Sequence, residues 1–303
     1  MQKFNTYTND INGELKNFQR IARRIKPDPG EVPYLPGIDI YGETIPFSGE
    51  VGGDHLIYID FNKRFDLEAR IDEASKGNRS DIVANLVRCR QKAGILLADA
   101  SGHSITDALL TAMLHQAFLV GTGYELSMNG DITTHLFENI NSRFYTSSSI
   151  DKFITMIYGE IHQSGEFRFI TAGHPLPVIF SQQFNQIVDI NPRRMVIFPP
   201  IGTFPSSEHI DASKQQSDFG YKSRYTVNTL NMMGMGDIMV LFTDGFQDQL
   251  EGHINFVSSR LEQSLREVKT GTSREIVNHL KKDFFEIIPE PDDDVTVVVI
   301  KKG

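Results

Sequence analysis

Strand-like and helix-like segments come in blocks along this chain, and that ordering constrains the fold more than any other feature. Apolar, β-branched runs stand at 38–41, 55–61 and 94–98. They return at 153–162, 166–171, 177–180 and 186–190, and again at 237–243 and 294–301. Helical patterning fills 62–92, the stretch from about 103 to 118, 132–144, 254–268 and 273–287. A doubly wound parallel sheet needs strands that alternate regularly with helices, and here they do not. The pattern therefore predicts an α+β layered architecture. Ser164-Gly165 reads as a hairpin turn, and Thr272 with Glu275 has capping-box spacing at the last helix.

The stretch 10–26 predicts an amphipathic helix. Leu15, Phe18, Ile21, Ala22 and Ile25 recur at helical spacing, and Pro27, Pro29 and Gly30 stop it. The chain thus divides into an N-terminal helical extension, 1–27, and one domain, 28–303, in which 62–92 is a helical insertion between neighbouring strands. The polar, aperiodic stretch 199–235 is expected to be a mobile loop. After residue 103, Leu109, Leu110, Met113, Leu114, Ala117 and Phe118 are expected to form one broad apolar helix face.

No apolar run approaches the ~20 residues that span a bilayer, so no membrane insertion is expected. The first residues lack the apolar block of a signal peptide, which predicts a cytoplasmic location. A formal net charge of −9 argues against non-specific binding of nucleic acid. The single cysteine, Cys89, rules out an internal disulfide and a cysteine-based zinc site, and it reads as an inert thiol.

Four acidic positions share one local grammar. Asp54 follows Gly52-Gly53. Asp99 ends an apolar run and leads into Ala100-Ser101-Gly102. Asp244 ends another run and precedes Gly245. Asp293, within Asp292-Asp293-Asp294, precedes the last apolar run. Each carboxylate stands at the mouth of a strand beside glycine or more acid. Glycine lets the backbone turn sharply and approach a ligand closely. Carboxylates gathered at one end of a sheet system repel each other unless cations neutralise them. Oxygen ligands alone suit Mg²⁺ or Mn²⁺, and two such ions can clamp a phosphoryl group for in-line displacement. The competing reading is plain turn chemistry, which also favours Asp and Gly.

The blocks Glu50-Val-Gly-Gly-Asp54, Leu97-Ala-Asp-Ala-Ser-Gly-His103, Thr171-Ala-Gly-His-Pro175, the run Gly236 to Gly245 and Asp292-Asp-Asp-Val-Thr296 occur in one order. Together they resemble the SpoIIE/RsbU-like branch of the PPM (type 2C) protein phosphatases. The resemblance implies a sandwich of two antiparallel sheets flanked by helix pairs, with two Mn²⁺ or Mg²⁺ ions at one end. It implies that Asp99 bridges both ions, that Asp54 and the Ala100 carbonyl serve one, and that Asp244 and Asp293 serve the other. Asp292 and Asp294 would then be solvated or merely support the site. The implied reaction is direct hydrolysis of phosphoserine or phosphothreonine by a water activated between the ions. The implied substrate is a phosphoprotein, a STAS-domain anti-sigma-factor antagonist of a bacterial partner-switching pathway. A non-catalytic binding module of the same fold and a hydrolase of small phosphate esters are the alternatives. The apolar stripe of the N-terminal helix is expected to pack on a partner copy, giving a homodimer, or on the domain itself.

One block departs from the family pattern: His103 stands where the family has lysine, which bears on phosphate attraction and on pH response. His174 reads as support for a turn between strands. Arg23, Arg24 and Lys26 read as a solvated helix face, and Arg193-Arg194 have no assigned place.

Overall fold

The computed structural model describes residues 31–47, 52–102, 105–147, 152–231, 234–249 and 254–303, with scattered positions between 13 and 25. The helix expected at 10–26 lies largely outside the described residues, and His103 lies outside them. Among the described residues no helix is long and apolar enough to cross a membrane.

The chain opens with β1 (Ile38–Ile45) and β2 (Asp54–Asp60). A helical excursion follows: α1 (Phe61–Arg64), α2 (Leu67–Lys76) and α3 (Ser80–Cys89). Asp60 and Asp66 cap the first two, accepting the N–H groups of Lys63 and Ala69 at 3.0 and 2.9 Å. Next come β3 (Lys92–Ala100), α4 (Ile105–Asn129) and α5 (Thr134–Ser147). Six strands follow: β4 (Ile154–His162), β5 (Phe167–Ala172), β6 (Val178–Ser181), β7 (Gln186–Val188), β8 (Ile197–Phe198) and β9 (Asn228–Leu230). The chain closes with β10 (Ile238–Phe242), α6 (Asp244–Gln247), β11 (Asp248–Gln249), β12 (Ile254–Asn255), α7 (Phe256–Ser259), α8 (Leu261–Val268), α9 (Ser273–Ile287) and β13 (Val295–Lys302).

Two sheets face each other. One has the order β1-β13-β10-β6-β7 and is antiparallel throughout. The other runs β2-β3-β4-β5-β8, with β9 also on β5. Its exception to the antiparallel expectation is the short β5–β8 pair, which is parallel.

Both faces of each sheet are buried, which explains why the central strands read as unbroken apolar runs rather than alternating ones. Alternate residues still part company. Leu56, Tyr58, Ile95, Leu97, Met239, Leu241, Val298 and Ile300 fill the space between the sheets. Ile57, Ile59, Leu96 and Ala98 pack under the helices α1–α5, with Leu114, Phe118 and Phe137. Val240, Phe242, Val297 and Val299 pack under α6–α9, with Phe246, Phe256, Leu265 and Phe284. The layers are helix, sheet, sheet, helix.

Three expectations change. The single helix expected over 254–268 is broken. Phe256 and Leu261 both point into the core, and their spacing of five does not fit one helical face. Arg260 leaves helical geometry at φ −131° and shifts the phase by one residue. The apolar face of α4 is divided as well. Leu114 and Phe118 are buried, whereas Leu109 and Met113 are exposed.

The stretch expected to be a mobile loop is tied down on α5. Asn141 Nδ2 donates to the Phe204 carbonyl at 2.9 Å, and its Oδ1 accepts the Gly202 N–H at 3.1 Å. Glu138 takes the Lys222 ammonium at 3.0 Å and the Tyr225 N–H. Tyr145 donates its hydroxyl to the Gln216 carbonyl at 2.6 Å. Part of its polarity serves this side-chain network, in which Gln215, Lys222 and Asn228 are buried.

Candidate active site

The site grows out of strand register. β2 and β3 pair antiparallel so that Asp54, which opens β2, lies directly opposite Asp99 near the end of β3. Asp54 shares the face of Leu56 and Tyr58, and Asp99 shares that of Ile95 and Leu97. Period-two geometry therefore turns both carboxylates into the mouth of the space between the sheets. Both are buried.

The opposite sheet reaches the same point by the same parity. Thr243 extends the inward series Met239-Leu241, and Thr296 precedes Val298 and Ile300 on the inward face of β13. Their hydroxyls both donate to Asp54 Oδ2 at 2.7 Å. The two threonines are joined to each other, with Thr296 N–H donating to Thr243 Oγ1 at 3.0 Å. Asp54 is thus held by one sheet in backbone and by the other through its side chain.

Asp294 completes the arrangement. It is buried, and its Oδ2 accepts the N–H of Gly53 at 2.5 Å and of Asp54 at 3.3 Å. Its Oδ1 accepts the Phe47 N–H at 2.6 Å. Of the two roles expected for Asp294, solvated or supporting the site, the geometry fits support: Asp294 folds the Gly52-Gly53-Asp54 turn. The glycines are required here. A Cβ on Gly52 would lie 1.9 Å from the Asp294 carboxylate, and one on Gly53 would lie 2.3 Å from the Gly102 carbonyl and 2.8 Å from that of Ala100. A Cβ on Gly245 would lie 2.0 Å from the Asp294 carbonyl. Backbone and carboxylates converge too closely for any side chain.

Asp244 opens α6 and is exposed, and Asp293 is half-buried just before β13, accepting the Asp294 N–H at 2.8 Å. Burial pushes the Asp99 carboxyl up to about 8, with the charges of Asp244, Asp293, Asp294 and Asp107 adding to the shift. Burial and then Asp99 also raise Asp54 well above the carboxylate range, while the two threonine hydroxyls oppose the shift. The four aspartates named from sequence therefore form one electrostatic cluster, with two members buried and two toward solvent.

Asp107 on α4 was not singled out from sequence. It is fully buried and paired with the Lys152 ammonium, which also donates to the Ser101 carbonyl at 3.2 Å. This pair fastens α4 to the Ala100-Ser101-Gly102 turn. Gly102, at φ +133°, has no room for a Cβ against the Asp107 carboxylate at 2.8 Å. Thr243, Thr296 and Asp294 were legible in principle, since each lies in a block already marked by its aspartate.

His174 is buried and pairs through Nδ1 with Thr155 Oγ1 at 3.1 Å, and Thr155 is the β4 partner of Asp99. Burial holds the ring down to about 3, slightly offset by the Phe242 backbone. A neutral ring packed between strands fits the expected support of a turn. Arg193 and Arg194 lie in a short 3₁₀ turn before β8 and are exposed. Cys89 is buried, and burial pushes its thiol up to about 12, as an inert thiol requires.

Asp54, Asp99, Asp244, Asp293 and the Ala100 carbonyl offer oxygen alone. Burial, with mutual repulsion adding to it, has raised the two buried carboxylates, and a multivalent cation would relieve the repulsion. That donor set fits a hard divalent ion such as Mg²⁺ or Mn²⁺.

Residues 90–302 match the family described as Stage II sporulation protein E (SpoIIE). No curated protein matches the chain by sequence. Among solved structures, the PP2C domain of SiaA from Pseudomonas aeruginosa is similar at TM-score 0.65 and 16% identity, covering 97% of this chain and 98% of that one. The RsbU and RsbW domains of a Mycobacterium tuberculosis protein match at TM-score 0.60 and 19% identity, over 89% of this chain and 61% of that one. SpoIIE from Bacillus subtilis, its PP2C phosphatase domain with a fragment of its regulatory domain, matches at TM-score 0.59 and 15% identity, over 89% and 64%. The chain spans less than two thirds of these last two. RsbX, solved in complex with magnesium, matches at TM-score 0.53 and 12% identity, covering 89% of this chain and 98% of that one.

Proposed function

This chain belongs to the SpoIIE family, and on that premise we propose that its aspartate cluster removes phosphate from serine or threonine in a protein substrate. The observation that carries the reading is the buried cross-strand pair Asp54–Asp99, with the charges of Asp244 and Asp293 acting on Asp99 at the open edge of the sandwich. The residues that would hold two Mn²⁺ or Mg²⁺ ions are Asp54, Asp99, Asp244, Asp293 and the Ala100 carbonyl. Bound there, such ions supply charge neutralisation at the phosphoryl oxygens and lower the pKa of water at neutral pH.

The chain's own residues fix the geometry. Thr243 and Thr296 hold one oxygen of Asp54 and favour its charged form. Asp294 holds the backbone on either side of Gly53. Lys152 and Asp107 fix the turn after Asp99. The exposed position of Asp244 leaves the approach open to a phosphorylated segment of another protein. The domain proposed for this activity is 28–303, with 62–92 inserted, and 1–27 is proposed as a linker through which a homodimer forms. The substrate we propose is a phosphorylated STAS-domain protein in a cytoplasmic partner-switching pathway. Family membership is what supports it.

The test is phosphate release from a phosphoserine or phosphothreonine peptide and from a phosphorylated STAS domain, titrated with Mn²⁺ and Mg²⁺. Turnover should require the metal and fall at least about 100-fold in both Asp99→Asn and Asp244→Asn. Turnover of small phosphate esters alone would assign a metabolite hydrolase. Metal binding with no turnover of any substrate would assign a binding module.

A further inference from the structure

A second group of ligating side chains lies away from the aspartate cluster, between α8 and α9. Glu267 comes from the last turn of α8. His279 and Asp283 stand four residues apart on α9, so they share one face of that helix. One ligand atom from each of the three lies within 4.8 Å of the others.

The separations are informative. His279 Nε2 is 3.4 Å from Glu267 Oε2 and 3.6 Å from Asp283 Oδ2. Both lie within ion-pair reach of a protonated ring, but the Nε2 atom is buried and makes no hydrogen bond. A buried ring nitrogen that makes no hydrogen bond and stands beside two carboxylate oxygens has a cost that either protonation or a bound cation would offset. Those separations do match the edge of a metal tetrahedron. With metal–nitrogen and metal–oxygen bonds of about 2.1 Å, ligand atoms stand about 3.4 Å apart.

We propose that Glu267, His279 and Asp283 bind a divalent transition-metal ion of the zinc class, with water as a fourth ligand on the exposed side. The imidazole separates this site chemically from the oxygen-only aspartate cluster, since nitrogen favours Zn²⁺, Co²⁺ or Ni²⁺ over Mg²⁺. The surrounding bonds prepare the ligands. Ser264 Oγ donates to Asp283 Oδ2, the oxygen beside the ring, at 2.5 Å, and Arg260 donates to the same oxygen at 3.2 Å, while Gln263 Nε2 donates to Glu267 Oε1 at 2.7 Å and leaves Oε2 facing the ring. Arg260 lies 3.2 Å from Asp283 and 3.6 Å from Glu267. Its side chain is 37% exposed, so it can swing to solvent as the ion enters. The ion would clamp α8 to α9 over the outer face of the β1-β13-β10-β6-β7 sheet.

The experiment is equilibrium dialysis against Zn²⁺ in excess Mg²⁺, with bound zinc counted by atomic absorption. Wild type and Asp99→Asn should each retain one Mg²⁺-resistant zinc. His279→Ala and His279→Gln should lose it, with at least a 100-fold weaker affinity. Wild type loaded with Co²⁺ should show the visible absorption of a four-coordinate nitrogen–oxygen site. Equal zinc retention in wild type and both folded His279 variants would overturn the proposal. So would an NMR titration of wild type in which the His279 ring bridges the carboxylates as a protonated imidazolium and ignores added zinc.

Discussion

Asp294 Oδ2 accepts the backbone N–H of Gly53 at 2.5 Å, joining the start of the last strand to the turn that presents Asp54. The same carboxylate also takes the N–H groups of Asp54 and Phe47. Asp294→Asn replaces one acceptor oxygen with a donor that faces these N–H groups. The variant should lose about 2–3 kcal/mol of stability, read by urea unfolding in chelator. It should also bind metal more weakly although Asp294 is not proposed as a ligand. An unchanged metal titration would remove Asp294 from the positioning role.

Thr243 and Thr296 provide a second check. Their hydroxyls favour the charged form of Asp54, which burial and Asp99 oppose. Thr243→Val with Thr296→Val keeps the shape and removes both donors. Apparent metal affinity at neutral pH should fall about 10–100-fold, and the loss should shrink as pH rises. A pH-independent loss would instead indicate misplacement of the strand ends.

The metal-free protein should respond to pH with a definite sign. Asp99 is raised to about 8 in the folded state, so the fold holds a proton there that the unfolded chain releases near pH 4. The stability this proton contributes is complete below the unfolded value and is lost as pH rises through about 8. With chelator present, Tm should fall between about pH 7 and about pH 8 and level off above about pH 8, where neither state holds the proton. His115 and His174, pushed down to about 4 and about 3 by burial, are neutral across that window and add no slope. Added Mn²⁺ should remove the decline, because the ion replaces the proton. Scanning calorimetry with and without metal measures both curves.

The buried ion pair of Lys222 with Glu138 holds the 199–231 segment on α5. Burial lowers the Lys222 pKa, and Glu138 opposes that shift. Lys222→Met strands the Glu138 charge and should cost about 3–5 kcal/mol. Lys222→Met combined with Glu138→Leu should recover part of that loss. Hydrogen exchange should locate the first variant's added opening in residues 199–231, and protection equal to wild type there would refute the docking role.

The four aspartates of the proposed site could be picked out before any coordinates. Asp54, Asp99, Asp244 and Asp293 stood out because strand ends and glycine turns are local features, written in a few adjacent residues. The block order of strands and helices, the hairpin at Ser164-Gly165 and the Thr272–Glu275 cap are local too, and all three are present. Tertiary structure decided what depends on neighbours distant in sequence. It set Asp54 opposite Asp99 across the helical insertion, and it singled out Asp294 from three consecutive aspartates by burying it under Gly53. It brought Thr243 and Thr296 from the second sheet onto one carboxylate oxygen, and it turned a polar, aperiodic stretch into a segment bound to α5. Sequence period fixes which face a side chain takes, but only the pairing of strands fixes what that face meets.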